Sequence, residues 1–586
     1  MYGTTAPAGR HLFEAACAVL APDAPQRLVE IFIRQTQPAL PILDLQSFPS
    51  ADPARAAQAG ASYGLLTSLL AHSTSYVHEI RPAHKHLWRQ VLLSLEDEYR
   101  KPTLQTLQQA LIVITSRPAI NLAQNHIAMG RLASAAQLLG LHLDPSLWRI
   151  PHGERVLRKR LWWAVLITDH WRALWYGRPS NISRDSYNVP VPSLADLDAP
   201  PDSLSAQSFI AMCKLTTIVN TVLSEFFTVR ALAAPRSSTA RLEMLDKIGY
   251  ELAVLEQQLP PGLRRLPSSG DRQAGPVPTG VRSFQLCKLG LEMVMFRLAT
   301  GSLPEPSAEQ LVSTARTALG LAQTLVEFLE NLDPEDFTVF WAPYCSFIIS
   351  SAAALLIRTA LTASTLDPAT RTAAGVFFTR LVVTLTSSHH VAQWDVASLA
   401  LDRIATLLRS LDGELPELVP LLQLFGPPNH ASNGASRSLP PFNVSQSLLT
   451  PAYRPGPPAP PPAQPAPTAA APLLPHGSTA PLAGPLLTPT GPAPVEQPSP
   501  ALDAWWWMQT EVLSLPDHLG APLPDVFEGW PAFAEQGGPG VRTGGAGDGM
   551  LFDLRSFLEG PGGDGPGTTA EATGVGAGDD ERGGQA

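Results

Sequence analysis

"RKRLWWAVLITDHWRALWYGRP", residues 158–179, carries four tryptophans, three basic residues at its head, one Asp near its centre and Gly-Arg-Pro at its end. On a helical wheel Leu161, Trp162, Val165 and Leu166 share one sector, while Trp163, Ile167 and Trp171 cover another. A helix that is apolar nearly all round belongs inside an assembly of helices. Asp169 stands three residues before Arg172, which predicts either an intrahelical ion pair or a buried carboxylate holding Arg178 beyond the turn. Arg158, Lys159 and Arg160 fall at the unfavourable end of the helix dipole, with Glu154 one turn earlier to offset them.

The flanking sequence keeps the same helical spacing. Leu28, Ile31 and Phe32 line one side of a short helix before a Pro-punctuated stretch, and further helical blocks follow at "ASYGLLTSLLAHSTSYVHEI", "HLWRQVLLSLEDEYR" and "TLQTLQQALIVITSR". In "NLAQNHIAMGRLASAAQLLGL", Ile127, Gly130, Ala133 and Ala136 share a face whose small residues permit close helix contact. Later helices are predicted near 208–232, 239–258, 280–300, 307–331, 345–363, 371–387 and 392–411. Another start is marked by Asp333, with Pro334 at the first helical position and Glu335 and Asp336 in the first turn. No convincing strand pair emerges. The fold class is all-α, a large multi-helix body followed by a disordered Pro- and Gly-rich C-terminal tail.

Charge and cysteine usage narrow the function classes. A net charge of −10 and a pI near 5.8 oppose nucleic-acid binding through the overall field, since phosphate contacts need clustered Lys and Arg. Cys17, Cys213, Cys287 and Cys345 are scattered, form no metal-ligand spacing and are expected to be reduced thiols. The N-terminal apolar run is broken by Glu14, so no secretory signal is expected. The run "FIISSAAALL" covers ten residues and is expected to be too short for a bilayer, so no membrane partner is anticipated.

Beyond residue 425 the composition changes. Residues 427–500 hold only Arg437, Arg454 and Glu496 as charges and Pro every few residues, which predicts an extended, partly polyproline, disordered linker. Residues 501–559 carry nine acidic and two basic residues together with "WWWM" and "MLFDLRSFL". Trp505, Met508, Val512 and Leu515 would share a helix face, as would Leu551, Leu554 and Leu558. Acids interleaved with bulky apolar residues are the composition of activation segments that fold on contact with a coactivator groove. Residues 560–586 are a Gly-rich disordered tail by the same compositional argument.

"GRLASAAQLLGLHLDPSLWRIPHGERVLRKRLWWAVLITDHWRALWYGRPSNIS" resembles the signature region of the fungal-specific transcription factor domain, the regulatory middle region of zinc binuclear cluster regulators. The resemblance is carried by the "LGLH-D" helix end, "RKRLWW" with Arg160, Trp162 and Trp163, the mid-helix Asp169, and Gly177, Arg178 and Pro179 after it. "LVEIFIRQTQPALPILDLQSF" is similar to the family's opening helix and turn, and "FWAPYCSFIISSAAALLIRTAL" to a later helix of the acetamidase and cutinase regulator subgroup. Residues 26–425 are thus expected to be the regulatory domain, preceded by a flexible N-terminus, 1–25.

That resemblance implies nuclear control of RNA polymerase II transcription, of metabolic genes, by a protein that is not an enzyme. Partners implied are coactivators at the C-terminal segment, a small-molecule effector and a homodimer partner. The family's six-cysteine zinc cluster and basic linker are absent from this chain. No cofactor is therefore expected in it, zinc being tied to an upstream cluster, and DNA is expected only indirectly or through that cluster. Tyr187 stands where the family often has an acidic residue. The alternative is a partner or inhibitor of a related transcription factor without DNA contact. A remoter alternative is a serine hydrolase, because "GASYG", residues 60–64, fits the nucleophile-elbow pattern around Ser62, although no strand precedes it. His84, His86, His389 and His390 lack a cysteine or carboxylate framework and are expected to be surface histidines rather than metal ligands.

Overall fold

The computed structural model describes residues 9–410 except 46, 47, 49, 50, 117–121, 234–235, 269–276, 303–305 and 364–365, together with residues 415, 418 and 421. All of them fall within one unit. The predicted linker, activation segment and tail at 427–586 lie outside the described residues, as do Trp505, Met508, Val512, Leu515, Leu551, Leu554 and Leu558.

Helices form wherever apolar residues recur at helical spacing. They are α1 Arg10–Cys17, α2 Ala24–Ile31, α3 Pro53–Gln58, α4 Tyr63–Ser73, α5 His84–Glu98, α6 Leu104–Ser116, α7 Leu122–Leu138 and α8 His152–Tyr176. They continue as α9 Leu204–Phe226, α10 Val229–Ala233, α11 Ser238–Gln258, α12 Pro261–Arg264, α13 Val281–Thr300, α14 Ala308–Glu330, α15 Cys345–Thr362, α16 Pro368–Ala392 and α17 Asp395–Ser410. No strand occurs among the described residues, and the body is all-α.

Two bundles share one apolar core. In the first, α4 packs on α1, α2, α5 and α6, and α8 on α6, α7 and α9. In the second, α15 packs on α13, α14, α16 and α17, while α9 and α11 both meet α13 and so join the halves. The halves are also tied at the surface. Arg81, just before α5, pairs with Asp395 and donates to the Gln393 backbone carbonyl, and His78 bonds the Gln393 side chain.

Several expectations need correction. Residues 10–17, assigned to the flexible N-terminus, form α1, with Leu12 and Ala16 buried as it packs on α4 and α5. Asp333 opens a short 3-10 turn, Pro334–Thr338, in place of a longer helix. Its backbone N–H donates to Asp336, whose carboxylate also meets Arg282. The run "FIISSAAALL" sits within the 18-residue α15. That helix and α9 are long and apolar enough to cross a membrane, and 67% and 61% of their most apolar windows are buried within the fold.

Candidate functional site

The fold converges on α8. From Arg160 to Tyr176 every side chain is buried, as a helix apolar all round requires. Trp162 and Trp163 pack on Tyr187, and the Trp163 indole N–H donates to the Pro190 carbonyl at 2.8 Å. Trp171 stacks on Tyr344, with ring centroids 5.8 Å apart, and donates to Thr216 Oγ1 on α9. Tyr187 thus fills an aromatic niche beside both indoles.

The basic triplet lies near the end of the second turn, because α8 begins at His152. Arg158 pairs with Glu154 at 2.8 Å and Lys159 with Asp196 at 2.9 Å. Arg160 is buried. Desolvation lowers the pKa of its guanidinium, opposed by Asp198, Asp44 and Asp196.

α8 stops at Gly177, whose φ of 61° and ψ of 35° place it in the left-handed region that glycine enters without strain. Pro179 then prevents any continuation. The chain folds back so that residues 180–182 lie against Asp169, two turns inside the helix. Ser180 Oγ donates to its carboxylate at 2.6 Å, Asn181 Nδ2 at 2.8 Å, and the backbone N–H groups of Asn181 and Ile182 at 3.0 Å.

Asp169 therefore makes neither predicted contact. It is not ion-paired with Arg172, whose Nη1 donates instead to the Ile114 carbonyl on α6. Arg178 is exposed beyond the turn rather than held by the carboxylate. The signature residues come together in one place even so, with Asp169, Gly177, Arg178 and Pro179 at the turn and Arg160, Trp162 and Trp163 along the preceding helix.

On α7, Ala133 and Ala136 are buried as the small-residue pattern requires, whereas Ile127 is 64% exposed. Gly130 meets the turn: a Cβ there would come within 3.3 Å of Asn181 Oδ1. Between α7, α8 and the turn lies a depression of about 230 Å³ including its open mouth, with enclosed room of about 10 Å³. Its lining includes His126, Met129, Arg172, Tyr176, Arg178 and Asn181. Arg172 is 5% exposed and stands 4.7 Å from the Tyr176 ring centroid. Burial lowers its pKa, with Tyr176 and Asp169 opposing, and its Nη2 has no hydrogen-bond partner. Nothing in the sequence pattern marked Arg172 as the odd residue.

The other candidates are structural. Ser62 caps α4, its Oγ accepting from the Leu65 backbone N–H at 3.1 Å. His84 bonds Thr74 Oγ1 and packs on Trp88, and His86 bonds the Ala15 carbonyl, so neither is the free surface histidine expected. His389 is half-buried beside the exposed His390. Cys213, Cys287 and Cys345 are core residues and Cys17 lies half-buried on α1. These thiols do not fit a zinc cluster, and no group of three metal-capable side chains occurs among the described residues.

Residues 29–254, which contain α8 and its closing turn, match the family described as "Fungal specific transcription factor domain". That part of the chain is similar to the family's regulatory domain. It is 29% identical over 344 residues to an uncharacterized transcriptional regulatory protein of Schizosaccharomyces pombe, covering 58% of this chain and 49% of that one. It is 26% identical over 256 residues to the acetamidase regulatory protein of Aspergillus fumigatus, covering 43% and 32%. A third relative is cutinase transcription factor 1 beta of Fusarium vanettenii, 23% identical over 247 residues, covering 40% and 27%. The aligned part of this chain spans about half or less of the length of each. No solved structure matches it. All three relatives bear the names of regulators.

Proposed function

We propose that the chain controls RNA polymerase II transcription in the nucleus, its helical domain regulating an activation segment at 501–559. The observation that carries this reading is the α8 turn locked on Asp169, lying within the matched domain. The names of the relatives support it. Metabolic genes are the proposed targets, by analogy with the acetamidase and cutinase regulators.

DNA contact comes from outside these residues, through a zinc cluster joined to the domain or through a partner regulator. Coactivators meet the acidic aromatic segment, and a small-molecule effector or a second copy of the chain sets its accessibility. The test fuses residues 1–586 to a heterologous DNA-binding domain beside a reporter. Activation that disappears on deleting 501–586 is the expected result. A fusion that never activates, or one indifferent to the deletion, overturns the activation role.

A further inference from the structure

Arg172 is a buried cation whose hydrogen-bonding capacity is only partly used. Nη1 is satisfied by the Ile114 carbonyl, the Tyr176 ring lies beside the guanidinium, and Nη2 faces no acceptor among the described residues. A desolvated charged donor in that state is costly, because each unmade bond forfeits what water would have supplied. The nearby carboxylate gives no relief, since four donors already converge on Asp169.

The pocket's charges do not cancel. Arg172 and Arg178 share the lining with a single carboxylate, Asp169, so two guanidinium groups stand against one acid. Enclosed room of about 10 Å³ admits one oxygen-sized atom, and the wider mouth admits the rest of a ligand past Arg178.

We propose that this pocket binds the carboxylate of a small organic acid, one oxygen accepting from Arg172 Nη2 and the remainder facing Arg178 at the mouth. A single negative charge matches the single excess positive one. A dianionic phosphate would bring its second charge toward Asp169, and a halide would leave Arg178 without a second acceptor oxygen. The proposal deepens the effector part of the reading above and is read by binding alone, so a failed titration leaves the reporter result standing.

Thermal unfolding of the full chain tests it, with sodium acetate, sodium phosphate and sodium chloride compared at constant ionic strength. Acetate is expected to raise Tm saturably, by about 2 °C at ten times its dissociation constant. Arg172→Gln is expected to abolish that rise. Should Arg172→Gln fail to fold, the exposed Arg178→Gln decides: its Tm in chloride stays at the wild-type value, and its acetate half-saturation moves several-fold higher. No saturable rise, an equal rise with chloride or phosphate, or acetate curves unchanged in the folded variants would each overturn the carboxylate assignment.

Discussion

The Ile182 backbone N–H donates to the Asp169 carboxylate at 3.0 Å, joining the middle of α8 to the strap that follows it. Both residues are buried. The carboxylate is therefore an internal clamp on the backbone, and its removal strands the Ile182 N–H in a dry setting.

Asp169→Ala should destabilise the body by about 2–3 kcal/mol, through charge-assisted bonds lost and a buried donor left unpaired. Hydrogen exchange at the Ile182 amide should accelerate more than at helix interiors. Wild-type urea stability together with unchanged exchange would refute the clamp.

Trp163→Ala removes a buried indole that meets Tyr187 and donates to Pro190. The expected loss is about 3–5 kcal/mol. Trp163→Phe keeps a ring but not the donor and should cost less. A small change for the alanine variant in denaturant unfolding would contradict the buried placement.

His72 lies in the core, its Nε2 2.6 Å from Thr36 Oγ1, with Phe32, Tyr76 and Phe340 around it. Burial, with a smaller contribution from His84, lowers its pKa to about 3. Burial also lowers His84, to about 4. Both sit below the unfolded value of about 6.5, so the unfolded chain takes up protons first as pH falls. This contribution to stability is complete above pH ~6.5 and declines from there toward the folded pKa values. Chemical denaturation at successive pH values should show the decline, and His72→Gln should flatten it between about pH 6.5 and 4.

The four cysteines should react slowly with a maleimide in the native protein. Cys213, Cys287 and Cys345 are fully enclosed, and burial raises Cys17 to about 11, which keeps its thiol protonated at neutral pH. Four equivalents should be taken up only after denaturation. Rapid labelling of any core cysteine in the native state would show that the bundle opens there.

The helices were legible because burial imposes its period on the chain. Predicted spans at 307–331 and 345–363 differ from α14 and α15 by a residue or so at each end. The surplus of Trp and Leu in α8 likewise announced a core helix. α1 escaped notice because it is only eight residues long and buries just Leu12 and Ala16. The Asp333 turn was over-read because a good N-terminal cap says nothing of length, and by Val339 the backbone is already extended.

The site was half legible. Asp169 stood out as the lone acid in an apolar helix, but backbone N–H groups leave no trace in residue identity, so two of its four donors could not be named. Ser180 and Asn181 were readable in principle, since "GRPSNIS" places small polar residues where the chain must turn back. The orphan Nη2 of Arg172 was out of reach, because it arises only once Ile114 and Asp169 have found their own partners.

The pairing of Arg81 with Asp395 spans 314 positions of the chain. At a ribosomal pace of about 5–20 residues per second, the acid emerges roughly 15–60 s after the arginine. During that interval the early helices can assemble, but the seam that Gln393 and Asp395 complete stays open. A nonsense codon upstream of Gln393 would leave His78 and Arg81 without these partners.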